Sequence, residues 1–230
     1  MRPTLTILLL ASLPAAADVA PGRWVEDRPG GAAPEHPTIS MSDEEVTVFF
    51  WEDVVLVEAW YDMTNAGPSG LTPMMLPMYF IYPGGGPDED FEPWVRMSVN
   101  GEELETRAFL RPQYDEAGEW SATMVMALFK YDLPPYETTR LFASYLAPYV
   151  WREDGGCFEY PLGTGGGWHS PIGHGTLYLR PGPGADWGVV EDFGEKHLPE
   201  PTFDGETAVW EFTDLEPPPD TCYWLRVRGM

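Results

Sequence analysis

Along most of this chain, apolar and polar residues alternate with a period of two. Val46, Val48 and Phe50 alternate with Thr47, Phe49 and Trp51. After Glu52-Asp53 the pattern resumes, with Val55, Val57, Ala59, Tyr61 and Met63 set against Glu58, Trp60 and Asp62. Successive side chains of a strand point to opposite faces, so the pattern predicts two half-buried strands joined as a hairpin. Met74 to Tyr82 is apolar almost throughout. That predicts a strand buried on both faces, with Pro77 at an edge or bulge because proline cannot donate to a ladder. Val95, Met97 and Val99 lead into Asn100-Gly101 and then Glu102-Glu103-Leu104. Asn-Gly between such runs predicts a two-residue hairpin turn, since both turn positions need positive φ.

Trp120–Leu133 and Thr138–Val150 read as two long strands joined at Pro134-Pro135, with a short helix over Ser121–Phe129 as the alternative on residue type. Arg111 to Gly118 is polar and turn-like. Gly155 to Gly175 holds eight glycines, Thr176–Arg180 reads as a strand, and Pro181 to Pro201 as a long irregular stretch. Thr207–Thr213 and Cys222–Val227 read as a final strand pair. No amphipathic helix of useful length is evident. About nine short strands with turn signals between them predict an all-β chain, an antiparallel β-sandwich with little helix. Residues 38–230 form its body, with two stacked β subdomains divided near 111–118 as the open alternative.

The chain begins with a different pattern. Arg2 precedes the apolar run Leu5 to Leu13 and then Pro14-Ala15-Ala16-Ala17. A basic start, a short apolar stretch and a small-residue cleavage site predict a signal peptide over 1–17. The run falls short of the roughly 20 residues that span a bilayer, and no second one follows, so no transmembrane segment is expected after cleavage. The expected location is periplasmic or secreted. Asp18 to Pro37, with four prolines and three glycines, reads as a flexible lead-in covering 18–37.

Charge narrows the partners. The 230 residues include 37 acidic and 13 Lys or Arg, a formal net charge of −24. Such a chain repels nucleic acid and anionic lipid, leaving cations, basic proteins or neutral glycans. Acidity also keeps an exported protein soluble without any specific site. The 10 Trp, 11 Tyr and 11 Phe supply the core that a disordered acidic chain lacks. Cys157 and Cys222, an even count in an exported chain, are expected to pair as a disulfide. Closing a loop of about 65 residues would contribute about 4 kcal/mol. Two thiols or a metal pair are the alternatives.

The segment from Phe158 to Gly175 is the most distinctive for chemistry. Gly165, Gly166 and Gly167 would let backbone N–H groups approach a ligand, and Trp168 would offer a flat face to a sugar ring or a cation, with His169 and His174 alongside. The alternative is a structural connection whose glycines make sharp turns. No Lys follows the glycines as in a P-loop, and Ser170 is in no Gly-x-Ser-x-Gly elbow. Two histidines without further ligands do not define a metal centre. The acidic clusters Asp43-Glu44-Glu45, Glu52-Asp53, Asp88-Glu89-Asp90 and Glu191-Asp192 read as exposed loops. Asp88 and Asp90 are candidates for a weak Ca²⁺ site, although the EF-hand spacing is absent. No other cofactor is expected and no catalytic residue is assigned.

Three stretches carry a resemblance. The first runs from Ile39 to Val48, with Met41, Glu44 and Val46, into a strand that ends in Tyr61-Asp62-Met63-Thr64-Asn65; the second is Val99-Asn100-Gly101. Then comes Tyr160-Pro161-Leu162-Gly163-Thr164-Gly165 with Trp168, Ile172 and Gly173. The pattern resembles exported bacterial proteins grouped as the domain-of-unknown-function 4424 family. Those carry Met-x-x-Glu-x-Val, Tyr-x-Phe-x-Asn and Tyr-x-Leu-x-Thr-Gly-x-x-Trp-x-x-x-Ile-Gly. Here Met63 stands in place of the aromatic residue of the second motif. The resemblance spans roughly Thr38 to Val227. It implies an exported β protein and transfers no catalytic residues.

The expected function is therefore a non-enzymatic binding or envelope-associated module that recognises a protein or glycan in the envelope or outside the cell. The alternatives are a carbohydrate-active or other hydrolase on a β-sandwich scaffold, and a Ca²⁺-stabilised structural module.

Overall fold

A computed structural model of the protein describes residues 20–21, 37–68, 70–81, 93–114, 120–152, 155–162, 168–195, 198, 200–216 and 222–228. The strands are β1 (Ala20–Pro21), β2 (Ile39–Phe50), β3 (Val54–Asn65), β4 (Gly70–Ile81), β5 (Val95–Val99) and β6 (Glu102–Glu103). They continue with β7 (Arg107–Tyr114), β8 (Trp120–Leu133), β9 (Thr138–Pro148), β10 (Val150–Arg152) and β11 (Gly155–Pro161). The last are β12 (Ile172–Pro181), β13 (Val190–Glu195), β14 (Thr202–Phe203), β15 (Ala208–Leu215) and β16 (Cys222–Val227). A 3₁₀ turn, Trp187–Val189, precedes β13.

The architecture is an all-β sandwich. One layer is an eight-stranded sheet in the order β14-β15-β12-β2-β3-β9-β5-β6. Two four-stranded sheets, β1-β4-β8-β7 and β10-β11-β16-β13, complete it. One buried cluster runs through all three sheets: Val57 and Tyr61 of β3, Leu76 of β4, Phe129 of β8, Tyr160 of β11, Leu179 of β12, Trp210 of β15 and Leu225 of β16 belong to it. Among the described strands, β2 and β12 run parallel and the other pairs antiparallel.

The period-two pattern is realised in β2 and β3, whose inward residues are buried and whose outward ones are half-buried. A bulge between Met41 and Asp43 resets the phase of β2. Before it the buried positions are Ile39 and Met41; after it they are Glu44, Val46, Val48 and Phe50. A bulge sets two residues of one strand against one of its neighbour, so the inward set moves from odd to even numbers. Gly173 makes room for it, since a Cβ there would lie 2.6 Å from the Ser42 carbonyl oxygen.

The other local expectations hold at Asn100-Gly101, with φ of 49° and 87° between β5 and β6, and at Pro77, where β4 shifts register against β8. Ser121 to Phe129 is strand, within β8. Arg111 to Tyr114 is also strand, paired with Trp120 to Met124, so the proposed subdivision falls on the β7–β8 hairpin.

Long-range pairing departs from the sequence reading. Ala208–Leu215 and Cys222–Val227 are not partners: β15 pairs with β12 and β14, whereas β16 pairs with β11 and β13. The stretch from Pro181 to Pro201 is not wholly irregular, since it contains β13. The Cys157–Cys222 disulfide is also corrected. Cys157 lies opposite Arg226, and Cys222 lies opposite Pro161. That is four ladder positions, roughly 13 Å along the strands, and disulfides need Cα atoms within about 7 Å.

Candidate functional site

The bulged end of β2 carries a carboxyl into the protein interior. Glu44 follows the phase of Val46 and Val48 and is 0% exposed. Its ladder partners are Tyr61 on β3 and Gly175 on β12. From the facing sheet, the Tyr160 hydroxyl donates to Glu44 Oε1 at 3.1 Å. The Tyr61 hydroxyl lies 3.1 Å from that of Tyr160. A phenol has one proton to give, so Tyr61 donates to Tyr160 and Tyr160 to Glu44. Glu44 Oε2 is buried with no hydrogen-bond partner among the described residues. Burial above all, with repulsion from Asp43, raises the Glu44 pKa to about 7, against the lowering effect of the Tyr160 bond. Glu44 belonged to a cluster expected to be an exposed acidic loop. The structure overturns that for Glu44, and the usable signal was its phase with Val46 and Val48.

The neighbour, Asp43, points to the other face of the sheet, where its Oδ2 lies 3.1 Å from His174 Nδ1. Two adjacent strand residues cannot converge on one substrate from opposite faces. The pair therefore supplies a single buried carboxyl, not the two facing carboxyls that glycoside hydrolysis requires.

The sequence-predicted site residues do not assemble. Trp168 is 1% exposed and lies in the core, so the flat face expected for a ligand is turned inward. His169 is exposed, and its backbone N–H donates to the Ile39 carbonyl at 2.8 Å, tying this segment to the start of β2. His174 is exposed and engaged with Asp43. Gly165, Gly166, Gly167, Asp88 and Asp90 lie outside the described residues. Among the described residues, no group of three or more His, Cys, Asp or Glu side chains is placed to hold a metal ion. Also among them, no helix is long and apolar enough to cross a membrane.

A surface site appears at the far end of β2. Trp51 seats its ring over Gly182, whose missing Cβ would fall 2.0 Å from the indole. Its Nε1 donates to the Pro183 carbonyl at 3.3 Å. Trp187 packs edge-on to Phe50 and Phe203, and its Nε1 donates to the Glu206 carbonyl at 3.0 Å. These indoles hold the 182–187 loop between two hollows. One, of about 350 Å³, is lined by Trp51, Glu52, Asp53, Pro183, Asp186 and neighbouring residues. The other, of about 380 Å³, is lined by Arg180, Trp187, Glu206, Thr207 and the far side of the same loop. The first carries three carboxylates and no basic residue. Neither hollow was legible in sequence, because β2 and the 182–187 loop are some 130 positions apart.

No protein-family model matches the chain, and neither does any curated protein. Among solved structures the fold is similar to that of a Legionella pneumophila protein described as a "putative nutrient binding protein". The identity is 15% and the TM-score 0.60, over 92% of this chain and 70% of that one. At this identity the likeness concerns the fold.

Proposed function

We propose that the protein is an exported, non-enzymatic binding module whose ligand seat is the acidic hollow beside Trp51. The observation that carries this reading is the meeting of an indole wall with Glu52, Asp53 and Asp186 in one concave surface. An aromatic face and carboxylates together suit a small organic cation, an amine or a quaternary ammonium group. The hollow's volume is at the lower end of the range for small ligands. The nutrient-binding description of the structural neighbour supports binding in place of chemistry. So does the opposed orientation of Asp43 and Glu44, which disfavours the hydrolase alternative. The signal-like start supports export to the periplasm or beyond. Membership of the domain-of-unknown-function 4424 family is part of the proposal. It is supported by the way Glu44, Tyr61 and Tyr160, one from each of the three motifs of the resemblance, meet in the interior.

The test is titration of the mature chain, from Asp18, with primary and quaternary amines, using neutral sugars as comparison. Amines should raise the melting temperature. Trp51→Ala and Asp53→Asn should each weaken binding at least tenfold while leaving the ligand-free melting curve within a few degrees. Sugar binding that survives both substitutions would move the seat elsewhere on the molecule and restore the glycan reading.

A further inference from the structure

The Glu44 carboxyl presents a chemical problem that neither of its charge states solves fully. As a carboxylate it would be a charge in the core with one donor among the described residues, Tyr160, and burying an ion without full pairing is far more costly than burying a neutral polar group. As the acid, Oε1 still accepts from Tyr160 and the proton sits on Oε2, leaving one buried O–H without a described partner. The second state is the less costly one. Among the described residues, the surroundings supply no compensating positive charge. Tyr61 faces Glu44 from β3, Tyr160 from β11, and from β12 and β15 come Gly175 and the Phe212 ring that lies over it. The charged neighbours are Asp43 and Glu45 on β2 itself, in the half-exposed, outward phase, and His174 beside Asp43.

We propose that Glu44 is a proton-binding latch where β11 meets the large sheet: the neutral acid lets the Tyr61–Tyr160–Glu44 chain close across the sandwich without an ion in the core, and loss of its proton leaves a buried charge there whose desolvation outweighs the stronger bond it accepts from Tyr160. The Tyr160 bond crosses between sheets, so the strain of the ionised state falls on the contact of β11 with β2 and β3. The sign follows from linkage. A carboxyl that holds its proton more tightly when folded contributes stability that is fully present below its unfolded pKa and lost as pH rises through the folded one. The window runs from the ordinary value of 4.5 to about 7.

Unfolding by urea between pH 4 and 9 tests this, comparing the full chain with Glu44→Gln, which keeps the shape of the acid and never ionises. Relative to Glu44→Gln, the wild-type folding constant should fall roughly tenfold per pH unit across that window and level off above it. Amide exchange at Phe158 to Tyr160, corrected for its intrinsic pH dependence, should accelerate over the same range in wild type alone. Tyr160→Phe removes the bond that favours the carboxylate, so its plateau should begin at higher pH. A wild-type to Glu44→Gln ratio that stays constant from pH 4 to 9 would overturn the latch. Should Glu44→Gln fail to fold, a Tyr160→Phe transition at the wild-type pH or below would overturn it equally. No outcome depends on a ligand at Trp51, so the latch and the binding proposal fail separately.

Discussion

Asn65 uses its whole side-chain amide inside the protein. Its Nδ2 donates to the Leu133 and Pro68 carbonyls at 3.1 and 3.2 Å. Its Oδ1 accepts from the Gly67 N–H at 2.9 Å and the Thr38 hydroxyl at 3.2 Å. Its backbone N–H donates to Glu137, and its carbonyl accepts from Tyr136. One buried residue thus joins the end of β3 to the start of β2, the end of β8 and the turn into β9. Asn65→Ala would leave buried carbonyls and an N–H without partners, a loss of about 3 kcal/mol. For a chain of this size that lowers the melting temperature by about 10 °C; Thr38→Val, which removes one of the bonds, should lower it by a third as much or less. In sequence, Asn65 is the last residue of the Tyr61–Asn65 stretch and stands just before the turn-like Ala66-Gly67-Pro68. Its side-chain partners lie up to 68 positions away, where no local pattern reaches. Trp168 illustrates the opposite error. Its glycine-rich surroundings read as an exposed loop, whereas its burial depends on the sheets that close over it.

At the scale of elements, the sequence was most legible where local rules act alone. Period two placed β2 and β3, Asn100-Gly101 placed a turn, and Pro77 marked an irregularity, because each depends on a few adjacent residues. The Ser42 bulge was hidden by the acidic run around it, although Met41 and Val46 are both inward while differing in phase. Pairing partners were not legible: β15 and β16 lie close in sequence yet enter different sheets, and nothing periodic distinguishes a neighbour in sequence from a neighbour in the ladder. The same register governs the cysteines. With Cys157 and Cys222 four ladder positions apart on β11 and β16, the fold does not depend on a bond between them. Adding a strong reductant to the native protein should leave its urea midpoint unchanged, and Cys157→Ser should shift it by less than about 1 kcal/mol. A drop of several kcal/mol on reduction, the size expected for a loop-closing disulfide, would require a different register for β16.

Over the whole molecule, 37 acidic side chains face 13 Lys and Arg, so most carboxylates have no basic partner one to one. The ion pairs seen here are surface ones, Arg96 with Glu103 at 3.5 Å and Arg140 with Asp62 at 3.7 Å. Exposed pairs of this kind are each worth about 1 kcal/mol at most. Self-repulsion of like charges is the larger collective effect, and it opposes the compact state. Salt should therefore stabilise this protein. Raising NaCl from 0.01 to 0.5 M shortens the screening length from about 30 Å to below about 8 Å, and the melting temperature should rise by several degrees, smoothly, with no midpoint. CaCl₂ at matched ionic strength separates general screening from a specific site. If both salts give the same rise, the acidic surface acts through its net field. If millimolar Ca²⁺ alone gives a saturating rise, as binding to the native state requires, Asp88 and Asp90 become the residues to substitute first. A melting temperature that falls as NaCl is added would mean that attraction between opposite charges outweighs repulsion, and the reading of the acidic surface as self-repelling would have to be abandoned.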